Sequence, residues 1–164
     1  MSMREIFEDT VATWERERPD LDLRAMFTSL RLLQLVNVAQ RSLEDAMAPH
    51  GISLGEFDVL ATLRRNGRGA QLSPSVLARV AMVTPGGMTS RLDRLEAGGL
   101  IVREVDPGDR RASLVSLTPA GRKLADRALE DLVAAENQLF AVLSDPERER
   151  VDRILDKITA HVDA

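Results

Sequence analysis

Thr84-Pro85-Gly86-Gly87-Met88-Thr89-Ser90-Arg91-Leu92-Asp93-Arg94-Leu95-Glu96-Ala97-Gly98-Gly99 is the stretch whose reading decides the fold. Thr84 supplies a side-chain oxygen for a helix N-cap, Pro85 suits the first helical turn, and Gly98-Gly99 supplies a stop. With Met88 at zero and ~100° per residue, Leu92 and Leu95 fall beside it as a core stripe. Gly86, Gly87, Ser90, Asp93 and Arg94 fall on the far side. Arg91 lies ~60° from Met88, at the edge of the core stripe rather than on the outer face. Two glycines in a first turn each cost about 1 kcal/mol of helix propensity relative to alanine. Close approach of the helix to another backbone explains that choice; a frayed, solvent-facing first turn also accommodates it.

Two shorter helical signals precede this segment. Ser53 with Glu56 three residues later forms a capping-box pattern, with Phe57, Leu60, Ala61 and Leu63 as its buried side. Asn66-Gly67-Arg68-Gly69 reads as a loop, and Ser73-Pro74 starts a second helix buried through Val76, Leu77 and Val80. After Gly99, the β-prone runs Ile101–Val105 and Leu114–Leu117 enclose the polar turn Asp106-Pro107-Gly108-Asp109-Arg110-Arg111, which predicts a hairpin. Three short helices followed by a charged hairpin is the pattern of a winged helix-turn-helix, a DNA-binding module.

The flanks are helical as well. Residues 3–18 carry Ile6, Phe7, Val11 and Trp14 at helical spacing until Pro19 ends the run. Residues 21–47 carry an apolar face too broad for one neighbour: Leu23, Met26, Phe27, Leu30 and Leu33 on one stripe, and Leu32, Leu35, Val36, Ala39, Leu43 and Met47 on the other. Thr118-Pro119 starts a long helix with Leu124, Ala128, Leu132, Leu139 and Leu143. Ser144-Asp145-Pro146 starts the last one, whose stripe is Val151, Ile154, Leu155, Ile158 and Val162. The expected fold is mainly α with a small β-hairpin wing. It comprises an additional N-terminal helix (1–18), a dimerisation helix (21–50), a winged helix-turn-helix lobe (53–118) and C-terminal dimerisation helices (119–163).

Composition narrows the functions. The 164 residues contain no cysteine, which excludes disulfide frameworks, thiolate metal sites, cysteine nucleophiles and thiol redox sensing. No apolar run approaches a membrane span and the N-terminus lacks a signal-peptide core, so the expected location is the cytoplasm. His50 and His161 stand without a nucleophile, phosphate loop or metal cluster, so neither an enzyme nor a metal or other cofactor is expected. Net charge is −4, which taken alone argues against nucleic acid. Distribution reverses that inference. Residues 64–127 hold 12 Lys+Arg against 6 Asp+Glu, while the rest holds 10 against 20. The candidate contacts to double-stranded DNA are Ser75, Thr84, Gly86, Gly87, Ser90 and Arg94 on the helices, and Asp109, Arg110 and Arg111 on the hairpin. Adjacent arginines at a hairpin tip suit the negative potential of a narrow minor groove, with Asp109 placed to hold a guanidinium. A hairpin standing alone with these charges would read as a solvated turn.

The run Thr89–Ile101 and the hairpin run Asp106–Gly121 resemble the recognition helix and wing of the MarR family of bacterial transcription regulators, and helix order extends the likeness over residues 21–163. The resemblance implies a homodimer held by its first and last helices. It implies a palindromic operator with one recognition helix per half-site, and Arg111 in the minor groove. A narrower resemblance, to the urate-responsive branch, rests on Trp14 in an extra N-terminal helix, Asp58, Arg91 and Arg103. It implies that these four form a ligand site, that a small anionic effector, urate, is contacted by Trp14 and Arg91 and repels Asp58, and that Arg103 passes the displacement to the recognition helix, releasing a repressor from DNA. The residues have an independent rationale. A guanidinium turned toward the scaffold needs an anionic partner, and Asp58 on a neighbouring helix is placed to be one. A structural Arg91–Asp58 bridge with Trp14 as a packing residue accounts for the same side chains. A regulator sensing another small organic or phenolic acid stays open beside urate, as does a helical interaction module without DNA binding.

Overall fold

A computed structural model describes residues 2–109 and 112–162. Arg110 and Arg111, expected at the hairpin tip, lie outside the described residues. The element order is α1 (Met3–Glu17), α2 (Arg24–Met47), a 3-10 turn (Ala48–His50), α3 (Leu54–Arg65), α4 (Pro74–Val80), α5 (Pro85–Ala97), β1 (Ile101–Val105), β2 (Ser113–Leu117), α6 (Pro119–Leu139) and α7 (Asp145–Val162). The caps read from the sequence are in place: Ser53, Ser73, Thr84 and Thr118 each accept a backbone N–H from the first turn of α3, α4, α5 and α6. The mainly α fold with a two-stranded wing is the one the sequence predicts.

The chain forms two compact units, Met1–Ser42 and Leu43–Ala164. The first holds α1 and most of α2, where Leu32, Leu33, Leu35 and Val36 are exposed. Its helix boundaries differ from the expected ones. α1 stops at Glu17, and α2 starts at Arg24 rather than 21 because the Asp22 side chain accepts the Arg24 backbone N–H at 3.2 Å. That local turn competes with an earlier helix start.

The second unit has a continuous core of Met47, Phe57, Leu60, Leu63, Leu77, Met88, Leu92, Leu95, Ile101, Val115 and Ala128. Full burial of each large side chain contributes about 1.5–3 kcal/mol. Leu77 and Ala78 are the buried residues of α4; Val80, expected inside, is exposed because this seven-residue helix ends there. The α4–α5 turn closes as a Schellman motif. Met82 N–H donates to Arg79 O and Val83 N–H to Ala78 O. Met82 sits at φ +51 where glycine is usual, and is almost fully exposed. α5 ends in the same motif with the expected residue: Gly99 has φ +67, and Leu100 N–H donates to Leu95 O at 2.9 Å.

β1 and β2 pair antiparallel with Ile101 opposite Leu117, Arg103 opposite Val115 and Val105 opposite Ser113. β2 begins one residue earlier than expected. Leu72 adds a bridge to Val115 on the other edge, with N–H to O contacts of 3.0 and 2.8 Å. α6 is anchored beside the hairpin: Thr118 donates its backbone N–H to Leu100 O and its hydroxyl to Gly99 O at 2.8 Å, and Gly121 fits directly against the Leu100 carbonyl. α6 ends at Leu139, so Leu143, expected on its stripe, lies in the following turn. Ser144 pairs with Glu147 at the start of α7.

Candidate nucleic-acid interface and effector residues

α5 presents the small outer face that its sequence predicts. Gly86, Gly87, Thr89 and Ser90 are exposed, and Met88, Leu92 and Leu95 are buried. The Thr84 hydroxyl accepts from Gly87 N–H at 3.2 Å, so one of its lone pairs is used in capping while its proton stays available to a phosphate. Ser75, one helix earlier, is exposed, with its Oγ 2.9 Å from Ser73 Oγ. On the wing, the Asp109 backbone N–H donates to Asp106 O and its carbonyl accepts from Ala112 N–H, closing the turn.

The two outer-face charges, Asp93 and Arg94, are exposed as the helical wheel suggests, but both are engaged by residues outside α5. Asp93 accepts a hydrogen bond from Arg103 Nη2. Arg94 is turned back onto α3, where its Nε donates to Glu56 Oε1 at 2.5 Å, and its Nη1 donates to Ser90 Oγ at 2.9 Å. Sequence reasoning missed Glu56 as a partner because its capping role already explained it. The other carboxylate oxygen, Oε2, does serve that role, accepting from Ser53 N at 2.7 Å and Ser53 Oγ at 2.9 Å. Burial alone would raise this carboxyl's pKa; the hydrogen bonds from Ser53 and Arg94 outweigh it and hold Glu56 below the ordinary carboxylate value.

Arg91 also points back toward α3, as the wheel predicts, but its partner differs. The expected direct Arg91–Asp58 bridge is absent from the ion pairs among the described residues; Arg91 Nη1 donates instead to Gly55 O at 3.2 Å. A Cβ on Gly55 would lie 2.5 Å from Arg91 Cζ, so the guanidinium rests in space that only glycine leaves open. Asp58 feels Arg91 at longer range. Asp58 keeps solvent access, but partial desolvation pushes its carboxyl above its usual value, and the charges of Arg91 and Arg65 oppose that shift. Asp58 and Arg65 border a cavity of about 230 Å³ between α3 and the α4–α5 turn, with Val80 and Met82 among its apolar walls. Gly55→Ala is expected to push the flexible guanidinium off α3 and to weaken any effector response that depends on Arg91. The fold and DNA binding should persist; paired ligand titrations and mobility shifts on the two proteins check this.

Arg103 reaches from β1 to α5. It bonds Asp93, and its Nε lies 3.2 Å from Glu96 Oε2, close enough for an ion pair although not aligned as a hydrogen bond. β1 and α5 are thus tied by one largely buried guanidinium. Asp93 and Glu96 were not singled out as its partners from sequence; their spacing of three residues, one helical face, is the signal that could have found them. Trp14 belongs to the other unit, on α1, and is half exposed. Among the described residues no His, Asp and Glu cluster could hold a metal ion, and no helix is long and apolar enough to cross a membrane.

The fold has relatives among known proteins. Residues 50–112 match the MarR family. The chain is 35% identical over 154 residues to the HTH-type transcriptional regulator PecS of Dickeya dadantii, covering 94% of this chain and 93% of that protein. It is 35% identical over 113 residues to an HTH-type transcriptional repressor of Mycobacterium tuberculosis, covering 69% and 79%. Among solved structures it resembles a cysteine-to-serine mutant of MarR from E. coli in complex with operator DNA. That likeness has a TM-score of 0.72 and 26% identity, and covers 83% of this chain and 96% of the other. These relatives are regulators, not enzymes.

Proposed function

The chain belongs to the MarR family of DNA-binding transcriptional regulators, and on that premise we propose that it is a homodimeric repressor, acting in the cytoplasm, that leaves a palindromic operator when it binds urate. The observation that carries the reading is Arg91. It is part of the recognition helix α5 yet its guanidinium rests on α3, at Gly55 and within the field of Asp58. A ligand that draws Arg91 away acts on the DNA-reading helix without an intermediary. Urate is a planar anion that a guanidinium can pair with and an indole can stack on or bond to, which suits Arg91 and Trp14. Its charge would repel Asp58, a carboxylate already disfavoured by partial desolvation. Arg103, tied to Asp93 and Glu96, would carry the shift along α5.

The DNA-contacting set is Ser75, Thr84, Gly86, Gly87, Ser90 and Arg94, with Asp109, Arg110 and Arg111 from the wing. Dimer formation is supported by the apolar residues exposed on α2 and by Ile154, Leu155, Ile158 and Val162 exposed on α7, which a second copy would cover. A mobility shift on the intergenic DNA upstream of the protein's own gene, with and without urate, tests the proposal. Release is expected with the parent protein and a weakened release with Trp14→Ala. Full retention at millimolar urate rejects the ligand. Unaltered urate-driven release with Trp14→Ala removes the indole from the site but keeps the ligand; release by another small organic or phenolic acid and not by urate favours the second reading, a regulator responding to such an acid.

A further inference from the structure

The first turn of α3 holds two arginines of α5 by neighbouring residues: Gly55 O takes Arg91 and Glu56 Oε1 takes Arg94. We infer that Glu56 is a resident stand-in for a DNA phosphate, holding Arg94 in the DNA-free protein and releasing it to the duplex backbone on binding. The inference rests on α5 being the helix that faces DNA, and goes beyond that reading by naming what Arg94 must leave.

Three observations carry it. The pair is asymmetric in exposure: the Glu56 side chain is 10% exposed and that of Arg94 58%, so a duplex can reach the guanidinium but not the carboxylate. Arg94 lies on the same exposed side of α5 as Ser90, to which its Nη1 is bonded, two turns beyond the two glycines that permit close approach. The carboxylate also divides its labour. When Arg94 leaves, Oε2 still accepts from Ser53 N and Ser53 Oγ, so Glu56 is not left as a buried charge without hydrogen bonds. A phosphate offers the guanidinium the same charge-assisted bonding that Glu56 does, so the exchange is close to balanced. Glu56 then tempers operator affinity while it caps α3.

The test measures operator binding against salt concentration, using a duplex selected by the parent protein from a random-sequence pool. Arg94→Ala is expected to weaken binding and to lower the slope of log K against log salt by about 0.9, the loss of one phosphate contact. Glu56→Gln keeps an acceptor for Ser53 and is expected to tighten binding about 2–5-fold, the equivalent of an exposed ion pair no longer competing. In the Arg94→Ala background the same Glu56→Gln change should have no effect on affinity. An unchanged salt slope in Arg94→Ala overturns the exchange, and that arm decides even if Glu56→Gln fails to fold. A Glu56→Gln protein that binds as weakly as Arg94→Ala also overturns it, since the pair is then only a brace. A parent protein that selects no duplex overturns both this inference and the assignment of α5 to DNA.

Discussion

Arg91→Ala is expected to abolish urate-driven release while leaving operator affinity within a few-fold of the parent. The guanidinium contacts α3 through one hydrogen bond to the Gly55 carbonyl and through its field on Asp58. Its removal therefore takes away the proposed anion partner and little of the core, which is built from Met88, Leu92 and Leu95 on the same helix. A charge on the anion that finds no guanidinium has no reason to favour one arrangement of α5 over another, and coupling vanishes with that differential contact. The variant has a pH signature too. Partial desolvation raises the Asp58 carboxyl and Arg91 opposes it, so losing Arg91 raises it further. A carboxyl whose folded pKa lies above its unfolded value binds more protons when folded, and stability falls as pH rises through that window. Arg91→Ala should therefore lose more stability than the parent as pH rises through the carboxylate range, and the deficit should close on acidification. Denaturant melts at a series of pH values, beside urate titrations, read both effects.

Gly121→Ala is expected to produce the largest loss of stability of any single methyl added to the chain's glycines. A Cβ there would sit 1.9 Å from Leu100 O and 2.8 Å from Leu100 C. Both are backbone atoms that no rotamer change can move. The obstruction falls where α6 leaves the wing, at the carbonyl that also accepts from the Thr118 N–H at 3.1 Å. Forced overpacking typically costs about 1–3 kcal/mol, and a backbone clash belongs at the top of that range. At this chain length the thermal midpoint should fall by about 6–12 °C. Operator binding should weaken with it, because Leu100 joins the end of α5 to β1. A midpoint within a degree of the parent would contradict the packing described.

The contrast between Gly121 and Gly55 marks where the sequence is readable and where it is not. Period and punctuation disclosed most of the fold. Thr84-Pro85, Ser73-Pro74 and Thr118-Pro119 each announce a helix start through the chemistry of the cap, and Gly98-Gly99 announces its end through the one residue that enters left-handed space freely. Both signals are local. Met82 carries no such signal: the Schellman turn it closes is imposed by Val83 returning to Ala78, so a methionine adopts a conformation that its own preference disfavours. Side-chain partners were harder to read for the same reason. The wheel gave the direction of Arg91 but not its acceptor, because a backbone carbonyl leaves no mark in the residue types. Glu56 lies two residues from Asp58, and at that separation which carboxylate meets which arginine depends on how α5 crosses α3. The wheel placed Arg94 outward correctly, yet its length lets it bend back to α3.

The proposed switch requires that urate and DNA oppose one another through a shared equilibrium, and linkage makes that reciprocal. Calorimetric titration of urate into the free protein and into the same protein saturated with its operator duplex measures the coupling directly. The account predicts that operator-bound protein takes urate about 5–150-fold more weakly, the coupling expected for 1–3 kcal/mol. Equal urate affinities with and without duplex, or no urate binding to the free protein, would contradict it.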